Sequence, residues 1–173
     1  LFPYPTLFRS RLDHLSLLDA TPTHKGATAP APFIGTRESL FDVLLCNGHN
    51  MARPTVARYY EQALEPMSVG VTRQAARWAE HNEWNSYDGR LDYRAGLPSL
   101  VCPVLLLSGG QDNLFPAVAS REMLDRIGSA DKRHRVFDRA SRYCDDYGHA
   151  GLLIGEDADD EVGEYFRQWI ENL

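Results

Sequence analysis

Two side chains of this sequence can work together as a proton-transfer pair, Asp112 and His149. Asp112 follows a Gly-Gly pair directly after the strongest predicted strand, and His149 ends a Tyr-Gly-His tripeptide after the next predicted strand. Loops at the carboxyl ends of parallel strands collect functional groups, because the sheet holds them in place while the loops vary. A carboxylate that accepts an imidazole N–H fixes the tautomer and leaves the other ring nitrogen able to take a proton. The pattern therefore predicts an Asp–His dyad.

Each of the two residues also has a simpler interpretation. Asp112 is suited to cap the helix that follows it, and His149 fits a surface or helix-cap position. Asp145 and Asp146 are alternative carboxylates for His149, although their nearness in the chain favours capping of the short helix after them. If both Asp112 and His149 are caps, the chain is a non-catalytic α/β binding or interaction module.

The elements that must position the pair form a strand–helix–strand–helix pattern. Residues 101–107 are a near-continuous apolar run, which is typical of a strand covered on both faces of a parallel sheet. Residues 117–127 carry apolar side chains on one helical face, and 133–137 form a shorter strand. Residues 162–173 are an amphipathic helix, preceded by acidic residues that the helix dipole favours. This order predicts parallel pairing with right-handed crossovers.

The earlier part of the chain is predicted to be a strand followed by a helical insert. Residues 14–19 form a short apolar run before a Pro turn, which predicts a third parallel strand. Apolar residues recur at helical spacing around 40–45, 56–64 and 71–79. We therefore expect residues 25–95 to be mostly helical and to separate this strand from the later unit.

Composition narrows the class of protein. The chain has 173 residues, of which 43% are hydrophobic and 24% charged, enough for one domain with an ordinary core. Its net charge of -6 argues against a nucleic-acid partner, and no apolar run is long enough to span a bilayer. Three widely spaced cysteines, Cys46, Cys102 and Cys144, form neither a disulfide framework nor a paired zinc motif. We expect a cytoplasmic protein.

The first ten residues are predicted to be a non-native leader. LFPYPTLFRS resembles the translation of a sequencing-library adapter, and it shows neither an initiator Met nor a signal-peptide pattern. We therefore expect the native N-terminus to be missing, which leaves secretion open. The truncated sheet would then expose an edge, through which we expect the chain to self-associate.

The order of the motifs resembles that in the C-terminal part of an α/β-hydrolase. Within this superfamily, the sequence pattern is most similar to that of the acid-lipase-like branch. The resemblance implies a partial hydrolase core of residues 11–24 and 96–173, containing the last three parallel strands, and a helical cap at 25–95. It implies that Asp112 is the acid and His149 the base of a catalytic triad, with no cofactor and no metal ion. The stretches that carry it are LLCNGHN (44–50), PMSVGVTRQAARW (66–78), YDGRLDYRAG (87–96), CPVLLLSGGQD (102–112) and DYGHAGLLIGEDADDEV (146–162).

The resemblance implies a serine hydrolase that acts on esters of acyl or lipid-like type. The family carries its nucleophile on a G-x-S-x-G elbow, and no such motif occurs in this sequence. We therefore expect a fragment that supplies two triad members and is inactive by itself. An acyltransferase, or a dehalogenase or epoxide hydrolase with an Asp nucleophile, stays open within the same fold. The serines outside any elbow context are Ser16, Ser39, Ser68 and Ser108.

Other candidates are weaker. Cys46 and His49 have a ligand-like spacing, but no second Cys/His pair lies nearby to complete a zinc site. The Gly109-Gly110 pair is not followed by a phosphate-binding motif. An aromatic group is expected either to line an acyl pocket or to pack the cap core: Trp78, Trp84, Tyr87 and Tyr93. Histidines that have no candidate catalytic or metal-binding partners are expected at the surface: His14, His24, His81 and His134.

Overall fold

The computed structural model describes residues 47–63 and 68–173, and all structural statements refer to these ranges. Three predictions lie outside the described residues: the leader at 1–10, the strand at 14–19 and the helix at 40–45. The helices are α1 (Arg53–Gln62), α2 (Val69–His81), α3 (Tyr93–Gly96), α4 (Ala117–Arg126), α5 (Gly151–Ile154) and α6 (Glu164–Glu171). The strands are β1 (Val104–Gly109) and β2 (Lys132–Phe137). Short 3-10 turns occupy Leu97–Ser99 and Arg139–Ser141, and a π turn, Asp159–Gly163, leads into α6.

The two strands form a parallel pair, which confirms the predicted α/β arrangement in its general form. Their register places Val104 opposite Lys132 and Gly109 opposite Phe137, and α4 is the helical part of the connection between them. The Lys132 ammonium donates to the carbonyls of Leu124 and Ile127 at the end of α4, at 2.9 and 2.7 Å. A cation at this helix end is favoured by the helix dipole.

The first strand differs from its prediction in position and in burial. It begins at Val104 rather than Val101, which is 75% exposed and precedes Pro103, a residue with no N–H to donate to a strand ladder. The side chains from Val104 to Leu107 are half-buried, so within the described residues the strand is not covered fully on both faces. Hydrophobicity alone does not reveal either difference.

A core cluster lies at the carboxyl end of β2. Phe137 and Tyr147 are fully buried and pack together with Ala158 and Val162. The Tyr147 hydroxyl donates to Glu161 at 2.7 Å, and burial, together with this carboxylate, raises the pKa of Tyr147. Tyr147 lies two residues before His149, so the loop that carries the candidate base is anchored directly on the core. The surrounding half-buried residues are Leu107, Tyr143, Leu152 and Tyr165.

The helices predicted around 56–64 and 71–79 are present as α1 and α2. Helix α1 has a proline in its first turn, where the missing N–H costs nothing. Ser68 caps α2 by accepting from the Gly70 N–H at 3.2 Å, and Asn82 ends it in the left-handed conformation at φ 54°. The described part of residues 25–95 is therefore mostly helical. Among the described helices, none combines the length and apolar character needed to cross a bilayer.

Candidate active site

The segment between β1 and Asp112 is hydrogen-bonded to two neighbouring segments, the end of β2 and the loop that carries His149. The Gly110 N–H donates to the Phe137 carbonyl and the Gln111 N–H to the Tyr147 carbonyl, both at 2.9 Å. These bonds join the end of β1 to the end of β2 and to the loop that carries His149. Asp112 consequently lies in a buried position, with 6% of its surface exposed.

The two carboxylate oxygens of Asp112 have separate partners. Oδ1 accepts from the backbone N–H groups of Leu114 and Phe115, at 2.9 and 2.7 Å. Oδ2 lies 2.9 Å from Nδ1 of His149. The predicted contact between the two side chains is therefore present, at the distance of a charge-assisted hydrogen bond.

The dyad combines a buried acid with an accessible imidazole. The Asp112 side chain is 3% exposed and the His149 side chain 37% exposed. Phe115 packs beside the imidazole, with ring centroids 5.5 Å apart and an interplanar angle of 39°. No described residue forms a hydrogen bond with Nε2 of His149, so one ring nitrogen is held and the other faces no protein partner within the described ranges. This is the arrangement that proton transfer to or from a reacting group requires.

Neither Asp112 nor His149 is the cap of the helix that follows it. The N-cap residue of α4 is Pro116 and that of α5 is Ala150, and neither helix has a side-chain cap. Asp112 instead closes a local turn through Oδ1 while Oδ2 is given to His149. A single carboxylate can hold both contacts because each oxygen accepts independently.

The alternative carboxylates, Asp145 and Asp146, are not hydrogen-bonded to His149. Asp146 accepts the backbone N–H of Arg139 at 3.0 Å, and Asp145 pairs with the Arg139 guanidinium at 3.1 Å. Neither is an N-cap of α5, so the expectation that they cap this helix is also wrong. Their role is to hold the turn after β2 against the following loop.

The Gly-Gly pair is required by close packing and not by turn geometry. A Cβ at Gly109 would lie 2.1 Å from the Tyr147 carbonyl oxygen, and one at Gly110 would lie 2.5 Å from Cβ of Asp138. Neither glycine has a positive φ, so left-handed backbone freedom is not the reason for glycine here.

The serines within the described residues do not contact His149. Ser68 is the cap of α2, and Ser108 is 1% exposed with its Oγ 2.9 Å from Nε2 of His134. Ser16 and Ser39 lie outside the described residues. A nucleophile adjacent to Nε2 of His149 is therefore not found among the described serines.

The expectation that His134 is a surface residue is wrong. It lies on β2 with its Nε2 bonded to Ser108, and its Nδ1 is buried with no hydrogen-bond partner in the described part of the chain. Burial, and secondarily the charge of Arg121, lower the pKa of His134 below its ordinary value of 6.5. A protonated ring would also place a second N–H donor where the described residues offer no acceptor, which favours the neutral imidazole.

Acidification is expected to weaken the fold through His134. The unfolded chain takes up a proton near pH 6.5, whereas the folded chain resists protonation until the pH is lower. The contribution of the neutral ring is therefore complete above pH 6.5 and is lost as the pH falls toward the folded pKa. Urea unfolding followed by circular dichroism should show this as a pH-dependent difference between the wild type and His134→Gln. An identical pH dependence in both proteins would contradict it.

The aromatic group packs as a local cluster. Trp78 lies 6.4 Å from Trp84 and 6.0 Å from Tyr93 between ring centroids, and its indole N–H donates to the Asn85 carbonyl at 2.8 Å. Tyr87 is 58% exposed and forms no ring contact with the cluster in the described residues. These contacts fasten α2 to the turn that follows it, which favours the packing interpretation over an acyl pocket.

Within the described residues, the remaining metal and histidine candidates form no site. Cys46 lies outside the described residues, and among 47–63 and 68–173 no three His, Cys, Asp or Glu side chains are grouped to hold a metal ion. His81 is exposed beside Glu80 at the end of α2, where the sequence predicts a surface residue. Cys102 and Cys144 are exposed free thiols.

Comparison with known proteins provides no relative from which to infer a function. No protein-family model, curated protein or solved structure matches the chain. The resemblance to α/β-hydrolases stays a prediction, and the case for a function rests on the geometry of the site. Two contacts of that site could not be predicted from the sequence pattern. One is the packing of Phe115 on His149, and the other is the hydrogen bond from Asn47 to Asp146, in the loop that leads to His149.

Proposed function

We propose that this chain contributes the acid and the base of an ester hydrolase of the α/β-hydrolase type, acting on acyl or lipid-like substrates. The observation that carries the proposal is the 2.9 Å contact between Oδ2 of Asp112 and Nδ1 of His149. The pair connects two loops at the carboxyl ends of neighbouring parallel strands, where open α/β sheets bind their ligands.

In the proposed reaction, Nε2 of His149 removes the proton from a serine hydroxyl as its oxygen attacks the ester carbonyl. The imidazolium then donates this proton to the alcohol oxygen as the ester C–O bond breaks, and a water molecule repeats the sequence to release the acid. Asp112 stays ionised throughout and stabilises the imidazolium. Its own orientation is maintained by the N–H groups of Leu114 and Phe115.

The burial of the two groups suits these roles. The Asp112 carboxylate is almost excluded from water, which strengthens its interaction with a charge that forms on the ring. The half-exposed His149 ring can meet a substrate from the solvent side. Phe115 lies against the ring and is 54% exposed, so it provides an apolar surface next to the reacting nitrogen.

The proposal requires a nucleophile that this chain does not carry in an elbow motif. We place it in a polypeptide segment outside the present sequence. An acyltransferase would use the same triad with an alcohol in place of water. A dehalogenase or epoxide hydrolase would carry an Asp in place of the serine, so the identity of the nucleophile separates these alternatives.

The test is to read the DNA upstream of codon 11, express the extended protein and assay hydrolysis of p-nitrophenyl esters of increasing acyl length. We expect a G-x-S-x-G motif, measurable hydrolysis, and a loss of several orders of magnitude in turnover in His149→Ala. His81→Ala is the matched control, because His81 is an exposed histidine on α2 whose only ionic neighbour in the described residues is Glu80. An active extended enzyme that is unaffected by His149→Ala would overturn the proposal.

A further inference from the structure

A short loop far upstream in the chain packs against the segment that carries His149. We call residues 47–51 the clamp loop. Three of its five side chains are buried, with exposures of 5% for Asn47, 3% for Asn50 and 5% for Met51. A loop of polar composition buried to this degree must be held by specific contacts.

The first contact fixes the chain just before His149. Nδ2 of Asn47 donates to the carbonyl oxygen of Asp146, 99 residues further along the chain. Oδ1 of the same amide accepts the His49 N–H at 3.1 Å, and the Asn50 N–H donates to the Asn47 carbonyl at 3.3 Å. Both ends of the Asn47 amide are therefore used, and its orientation is fixed by the loop itself.

The second contact fixes the chain just after α5. The Glu156 N–H donates to the Asn50 carbonyl at 2.7 Å. The Asn50 side chain packs on two glycines: a Cβ at Gly151 would lie 3.2 Å from its Oδ1, and one at Gly155 would lie 3.2 Å from its Nδ2. The clamp loop thus holds the His149 segment at Asp146 and again at Glu156.

The side chain of Asn50 is enclosed in the same contact region. Both polar atoms of its amide are buried with no hydrogen-bond partner in the described part of the chain. Burial of an amide without hydrogen bonds costs free energy, so such a group calls for an explanation. The unpaired amide lies against Gly151, two residues after His149.

We infer that the clamp loop positions His149, and that Asn47 is the positioning residue. The inference rests on the proposed function, because it concerns the base of the same dyad. Asp112 holds the ring through Nδ1, but a backbone shift of about 1 Å would take the 2.9 Å contact beyond hydrogen-bond distance. Asn47 opposes that shift by holding the carbonyl three residues before the ring.

The tautomer of His149 is the measurement that tests the inference in the chain as it exists. Two-dimensional 15N–1H NMR of the imidazole, at about pH 8 where histidines are largely neutral, reports which ring nitrogen carries the proton. In the wild type we expect the Nδ1–H form, because the Asp112 carboxylate accepts from Nδ1. In Asn47→Ala we expect the ratio of Nδ1–H to Nε2–H to fall several-fold, toward that of free histidine.

Two further variants make the result specific. Asn172→Ala is the matched control, since Asn172 also donates its amide to a backbone carbonyl, that of Gln168 at 2.6 Å, but at the end of α6. It should leave the tautomer ratio unchanged. Asn47→Asp keeps the side-chain size and the acceptor for His49 but lacks the donor to Asp146, so it should reproduce the effect of Asn47→Ala.

The outcomes separate this inference from the proposed function. If Asp112→Asn leaves the tautomer ratio of His149 at the wild-type value, the dyad itself is wrong. If Asp112→Asn changes the ratio and both Asn47 variants fold with the wild-type ratio, the dyad stands and the inference is overturned. Failure of both Asn47 variants to fold, judged by far-ultraviolet circular dichroism, would also overturn it, because the loop would then serve the fold and not the ring.

Discussion

Replacement of Asp112 by Asn is expected to lower the turnover of the extended hydrolase by about 10⁴-fold, the loss seen for the same change in serine proteases. The Asn amide can donate an N–H to Nδ1 of His149, which leaves the ring proton on Nε2. A ring protonated at Nε2 cannot accept the proton of a nucleophile. The side chain keeps its size and can still offer Oδ1 to the Leu114 and Phe115 N–H groups, so the fold should persist.

The measurement is steady-state hydrolysis of a p-nitrophenyl ester by wild type, Asp112→Asn and Asp145→Asn. Asp145 is the matched control, because it is another buried carboxylate in the neighbouring loop but pairs with Arg139 and not with His149. We expect its variant to retain turnover within about tenfold, since no atom of the dyad is touched. Equal rates in Asp112→Asn and the wild type would show that the carboxylate does not act as the triad acid.

Replacement of Gly109 by Ala is expected to destabilise the fold strongly. The new Cβ would lie 2.1 Å from the Tyr147 carbonyl oxygen and 2.7 Å from its carbon, both backbone atoms that no side-chain rotation can move away. Relief requires β1 and the loop before His149 to separate, which also breaks the 2.9 Å bond from the Gln111 N–H to the Tyr147 carbonyl. We expect a loss of at least about 3 kcal/mol in the free energy of unfolding.

Urea unfolding followed by circular dichroism measures this loss. Gly96→Ala is the matched control, because Gly96 has φ -81° at the end of α3 and a Cβ there would meet no atom within 4 Å. Alanine is the better helix former, so this variant should change the free energy of unfolding by no more than about 1 kcal/mol. Similar losses in the two variants would show that the close approach at Gly109 is not what the fold depends on.

Elements whose side chains follow a clear period could be predicted from the sequence. The helical spacing of apolar residues in α2 and α4 depends on local geometry, so neighbouring residues suffice to recognise it. The start of β1 could not be placed in this way. An apolar Val101 looks like strand interior in the sequence, whereas Pro103 removes a ladder donor just before the strand begins.

The pairing of Asp112 with His149 could also be predicted from the sequence, for a topological reason. Parallel strands joined by a helix bring their carboxyl ends to one edge, so an Asp and a His in the loops after them must become neighbours. The sequence could not determine which oxygen of Asp112 meets the ring. It also did not reveal that Asp145 and Asp146, which are closer to His149 along the chain, contact Arg139.

What the sequence by itself determined is therefore local periodicity and the order of elements, and from these the edge at which Asp112 and His149 meet. The tertiary structure alone decided the pairing of Ser108 with His134, the contact of Gly109 with Tyr147 and the contact of Asn47 with Asp146. Each of these joins segments that are far apart in the chain and have no shared period. Such contacts depend on how closely two packed backbones approach, a distance that no pattern of neighbouring residues encodes.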